Sequence, residues 1–152
     1  MRKILVSACL CGEPCRYDGK AVLCDDPDFL RWQSQGRFIP VCPEVLAGLA
    51  VPRGESQRCG ARVVTIDGKD VTDAFYEGGR ACVAIAEEQD VAFCIFKQRS
   101  PSCGSTIIHD GTFTGIKIPG QGVATELLRE AGYVVLGEDQ MEEILKVEEQ
   151  TR

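Results

Sequence analysis

The chain lacks any apolar run long enough to span a bilayer. Its longest, Val91 to Phe96, has the length of a strand. Histidine occurs once, and no Cys-x-x-Cys pair is present, which argues against the common zinc ligand sets. No repeat, linker or low-complexity segment divides the 152 residues, so one domain over 1–152 is expected. An excess of positive charge is missing too. At a net charge of −6 the chain repels phosphate backbones, and nucleic acid is a disfavoured partner. Arg53, Arg58 and Arg62 form one local basic cluster, and Lys97 with Arg99 another; each reads equally as a patch or as solvated surface charge. The basic start Met1-Arg2-Lys3 leads into an apolar stretch too short for a signal peptide, and it reads as a first strand.

Cysteine is what the chain has in excess, with nine residues. An odd number does not suit a full disulfide framework. Without a secretion signal the expected compartment is the reducing cytoplasm, where thiols stay free or bind metal. Cys82 and Cys94 sit in apolar patterns and read as small buried hydrophobes. Cys9, Cys42 and Cys103 do not, because each lies in a loop that no core requirement explains.

The periodicity predicts strands over Lys3–Ser7, Arg37–Val41, Val91–Phe96 and Tyr133–Leu136. Helices are expected over Asp28–Gln35, Glu44–Leu49, Asp73–Gln89, Val123–Glu130 and Asp139–Val147. The all-apolar Val91–Phe96 has the pattern of a central parallel strand covered on both faces. Asp67-Gly68 is expected to turn a hairpin from Ala61–Ile66 into Lys69–Thr72, and Asp110-Gly111 one from Thr106–His109 into Thr112–Gly115. The implied fold class is α/β, with a mainly parallel, Rossmann-like sheet flanked by helices and small hairpin insertions.

Ligands of open parallel sheets bind beyond the carboxyl ends of the strands. Three predicted strands run into Cys9, Cys42 and the loop bearing Cys103. If those strands are parallel, the three thiols converge. Such a set suits a soft metal. An iron–sulfur cluster with three protein ligands and one open iron fits the spacings better than zinc, with zinc, a redox thiol site or inert cysteines as alternatives. Glu44 lies two residues beyond Cys42, where a carboxylate can move protons or simply complement a helix dipole. Ser100 lies three residues before Cys103, as a hydroxyl for a substrate or as a turn residue before Pro101. Tyr17 reads as a possible pocket residue beside the Asp18-Gly19 turn. His109 reads as a solvated strand residue. Gly120-x-Gly122 reads as a simple loop or an anion cradle.

Three segments carry a resemblance. Val6-Ser7-Ala8-Cys9-Leu10-Cys11-Gly12-Glu13-Pro14-Cys15-Arg16-Tyr17-Asp18-Gly19 resembles the opening motif of the YbbK-like family, which includes thiouracil desulfidases. Pro40-Val41-Cys42-Pro43-Glu44-Val45-Leu46-Ala47-Gly48-Leu49 with Pro52-Arg53, and Arg99-Ser100-Pro101-Ser102-Cys103-Gly104-Ser105, are similar to its second and third motifs. The resemblance implies a 4Fe–4S cluster on Cys9, Cys42 and Cys103, with Glu44 and Ser100 as catalytic residues. It implies a non-redox removal of sulfur, as hydrogen sulfide, from a small thiolated nucleobase or nucleoside such as 4-thiouracil. Cys11 and Cys15 are not assigned as ligands. An electron-transfer module with a fourth cysteine ligand, a sulfur carrier and a zinc-binding structural domain remain the rival readings.

Overall fold

Four strands hydrogen-bond in the order β2-β1-β5-β8, and every pair is parallel. They are β1 (Ile4–Ser7), β2 (Phe38–Val41), β5 (Phe93–Phe96) and β8 (Val135–Gly137). The computed structural model describes residues 1–151. Its helices are α1 (Pro27–Ser34), α2 (Pro43–Leu46), α3 (Thr72–Gln89), α4 (Val123–Glu130) and α5 (Met141–Gln150).

The period-two pattern of the central strands divides the core into two layers. Leu5, Cys94 and Phe96 pack with Cys82 and Ala86 of α3 and with Ala124 and Leu128 of α4. Ile4, Val6, Phe93 and Ile95 face the other way, onto Phe29 and Trp32 of α1 and Ile144 of α5. Helices thus cover both faces, which is why β1 and β5 are fully buried. Cys82 and Cys94 are core hydrophobes, as their patterns predict. This is the expected Rossmann-like arrangement. No helix among the described residues is long and apolar enough to cross a membrane.

The chain steps from β1 outward to β2, then crosses back to lay β5 on the other side of β1. The direction of winding reverses between β1 and β5. A crevice opens at such a reversal, at the carboxyl ends of the strands. Ser7, Val41 and Phe96 therefore deliver their following loops to one rim.

Two hairpins differ from expectation. β4 (Arg62–Thr65) pairs backwards with β3 (Ser56–Cys59) around Gly60-Ala61. The Asp67-Gly68 turn returns only far enough for a single Val64–Asp70 bridge. β3 reads Ser-Gln-Arg-Cys, a polar string without strand periodicity, and its pairing is set by tertiary contacts rather than propensity. In the second hairpin, β6 (Ile107–His109) pairs with β7 (Lys117–Pro119). Thr112–Gly115, expected as the return strand, is instead a loop. There the Asp110 carboxylate accepts from the Thr112 amide and hydroxyl, which turns the chain early.

Candidate active site

A cavity of about 550 Å³ lies at the rim where β1, β2 and β5 end. Cys9, Cys42, Cys103, Glu44 and Ser100 all line it. Five residues spread over 95 positions meet there because three parallel strands end on the same side.

The loop carrying Cys103 is held from two directions. Gln98, buried behind it, accepts from the Ser105 and Thr106 amides through its side-chain oxygen, at 3.0 and 3.1 Å. The first amides of α4 are spent on the same loop: Val123 donates to the Pro101 carbonyl and Ala124 to that of Ser102, each at 2.9 Å. A free helix N-terminus attracts anions; this one is capped by the chain itself. Gly120-x-Gly122 is therefore a close-packing loop. A Cβ on Gly122 would overlap the Ser102 carbonyl carbon.

Glu44 is fixed at both carboxylate oxygens. Arg53 Nε donates to Oε1 at 3.0 Å, and Ser102 Oγ donates to Oε2 at 3.0 Å. Ser100 Oγ is 3.0 Å from Ser102 Oγ and accepts from the Cys103 amide at 3.0 Å. Arg53 also donates to the Cys15 carbonyl at 3.0 Å, and its amide donates to Tyr17 at 2.8 Å. It thereby staples the first loop, with Tyr17 on the cavity wall, to the Glu44 segment. Arg53 and Ser102, the two partners of Glu44, are not among the site residues expected from the sequence. Both stand inside the family-like motifs, where Arg53 reads equally as part of a basic patch or as solvated surface charge and Ser102 carries no reading of its own.

The basic clusters dissolve into ion pairs. Arg53 meets Glu44, Arg58 meets Glu126 at 2.7 Å, Arg62 meets Asp70, and Lys97 meets Glu138 at 3.2 Å. Only Arg99 of the five is exposed without a carboxylate partner among the described residues. His109 is not solvated as expected. It lines the cavity, and its Nδ1 is buried without a hydrogen-bond partner.

The cysteines require a correction. Among the described residues, no group of three or more Cys, His, Asp or Glu side chains is disposed to hold a metal ion. The expected 4Fe–4S ligand set of Cys9, Cys42 and Cys103 is not assembled, nor is one for structural zinc. Two of these thiols have a polar neighbour. The Cys42 thiol donates to the Cys15 carbonyl at 3.8 Å, and Cys103 Sγ lies 3.6 Å from Ser102 Oγ. Their acidity follows. Contact with Cys15, then burial, raises Cys42 well above the usual thiol range. Burial pushes Cys103 up to about 12 against the pull of Ser7 and Ser102. Cys42 favours the Cys15 thiolate, but Cys9 and burial outweigh it, leaving Cys15 at about 11.

The family model for 2-thiouracil desulfurase matches residues 4–140. The chain belongs to that family. It is 38% identical over 152 residues to the uncharacterized protein YbbK of Bacillus subtilis (strain 168), covering 93% of this chain and 99% of that one. The solved structure described as the 4Fe-4S-dependent thiouracil desulfidase TudS superposes with a TM-score of 0.96 at 39% identity, covering 99% of both chains. The family match takes in every cavity-lining residue named above.

Proposed function

We propose that the chain is a desulfidase that removes sulfur, as hydrogen sulfide, from a thiolated nucleobase or nucleoside such as 4-thiouracil. The observation that carries this reading is the Glu44 carboxylate, held at both oxygens inside a cavity shared with Ser100. The likeness to the thiouracil desulfidase over its full length supports it. The reaction is a hydrolysis of the thiocarbonyl. Glu44 takes a proton from water, whose oxygen bonds to the ring carbon. The carbon–sulfur bond then breaks with its electron pair on sulfur. Ser100, with its oxygen fixed by backbone amides, donates toward the charge that builds on the substrate. A pyrimidine ring fits a cavity of about 550 Å³ with room for an attached sugar.

All nine cysteines are free thiols, which suits a reducing compartment, and the cytoplasm is the proposed location. The test is a panel of 2- and 4-thiolated pyrimidine bases and nucleosides incubated with the purified protein, with sulfide and the carbonyl product both quantified. Turnover of at least one member is expected. Electron transfer without sulfide release would instead favour the redox reading.

A further inference from the structure

Ser102 has one hydroxyl proton and three polar neighbours. Its Oγ lies 3.0 Å from Glu44 Oε2, 3.0 Å from Ser100 Oγ and 3.6 Å from Cys103 Sγ. An ionised carboxylate only accepts, so Ser102 donates to Glu44. The contact between the two serines then has a direction: Ser100 donates to Ser102. Ser100 Oγ in turn accepts from the amides of Ser102 and Cys103, at 3.2 and 3.0 Å. The result is an ordered chain, Ser100 to Ser102 to Glu44. When Glu44 gains a proton, rotation of the two hydroxyls reverses that order.

The hydroxyl is not needed to build the loop. The Ser102 carbonyl accepts from the Ala124 and Thr125 amides, and its own amide donates to Ser100 Oγ; any residue here keeps these bonds. Ser102 is 1% exposed, so water does not replace the link. A buried hydroxyl that joins two cavity-lining residues, and that the loop does not require, calls for another explanation.

We propose that Ser102 is a positioning residue that relays a proton between Glu44 and Ser100 during desulfidation. This rests on the function proposed above. Water adds its oxygen to the thiocarbonyl carbon and gives one proton to Glu44. A proton passes from Glu44 through Ser102 to Ser100 and onto the departing sulfur. The carbon–sulfur bond breaks with its electrons on sulfur, and the second water proton is released as the carbonyl forms. One water is consumed and one hydrogen sulfide is made, with no change in oxidation state. Ser102 ends as it began.

The experiment compares wild type, Ser102→Ala, Ser102→Thr, Ser102→Val and Glu44→Gln in steady-state kinetics, in H2O and D2O, with thermal midpoints as the folding control. General acid–base steps supply roughly 10²–10⁴-fold. Losing the relay is expected to lower kcat by about 10²-fold with KM changed less than threefold, and to alter the solvent isotope effect. Thr and Val share one shape and differ in the hydroxyl, so Thr is expected to exceed Val at least tenfold in kcat. If both are unfolded, Ser102→Ala, which only removes an atom, decides. Wild-type kcat in folded Ser102→Ala beside an inactive Glu44→Gln overturns the relay and leaves the function standing. A wild-type protein inactive on every thiolated pyrimidine overturns both.

Discussion

Arg53 Nε stands 3.0 Å from Glu44 Oε1, and the same guanidinium reaches the carbonyl of Cys15 at 3.0 Å. One side chain thus sets the orientation of the carboxylate and the position of the first cysteine loop. Both partners are largely buried, so the pair is poorly screened. Arg53→Ala is expected to lower kcat on a thiolated pyrimidine by about 10²-fold. Arg53→Lys is not expected to restore it, because an ammonium cannot reproduce the forked donors. Steady-state kinetics of the two variants checks this.

Behind Glu44, helix α3 approaches α2 through Gly78. A Cβ there would overlap the Pro43 carbonyl oxygen. Gly78→Ala is expected to push the Cys42–Glu44 segment off its seat and cost about 1–3 kcal/mol of stability. Gly122→Ala is the matching test on the Ser102–Cys103 side. Both variants should lose activity as well as stability, measured by denaturant unfolding and by sulfide release.

Arg37 and Glu148 form a buried ion pair at 2.7 Å, far from the cavity, and Arg37 also donates to the Arg2 carbonyl. The pair fastens α5 to the start of β1. Glu148→Ala leaves a buried guanidinium without its carboxylate and is expected to cost about 3–5 kcal/mol. Since neither residue lines the cavity, kcat of the folded variant should match wild type.

The mainly parallel sheet and the meeting of Cys9, Cys42, Glu44, Ser100 and Cys103 at one cavity were legible in the sequence. Apolar runs mark parallel strands, and parallel strands place their following loops together. The hairpin partner β3 was not legible, because Ser56–Cys59 is polar and is paired by its surroundings. Neither was Arg53, whose ion pair depends on where α2 ends. The cluster expectation failed for a related reason. Spacing brings thiols to one rim, but among the described residues the side chains there do not form a group disposed to hold a metal ion.

The raised thiols set a pH dependence. Cys15 and Cys103 rise from the usual 9.0 to about 11 and about 12 in the fold. Between those values and 9.0 the unfolded chain has lost protons that the folded chain keeps. The contribution of these two thiols to stability is therefore expected to be level below about pH 9 and to fall as pH rises toward 12. Urea melts across this range provide the check, and a rise in stability would refute it.

The most direct measurement of the account is sulfide release from 4-thiouracil by the purified protein beside its Glu44→Gln variant. The expected result is one sulfide and one uracil per substrate consumed, with turnover reduced at least 10²-fold in the variant. Undiminished release by Glu44→Gln, or none by the wild type from any thiolated pyrimidine, would contradict it.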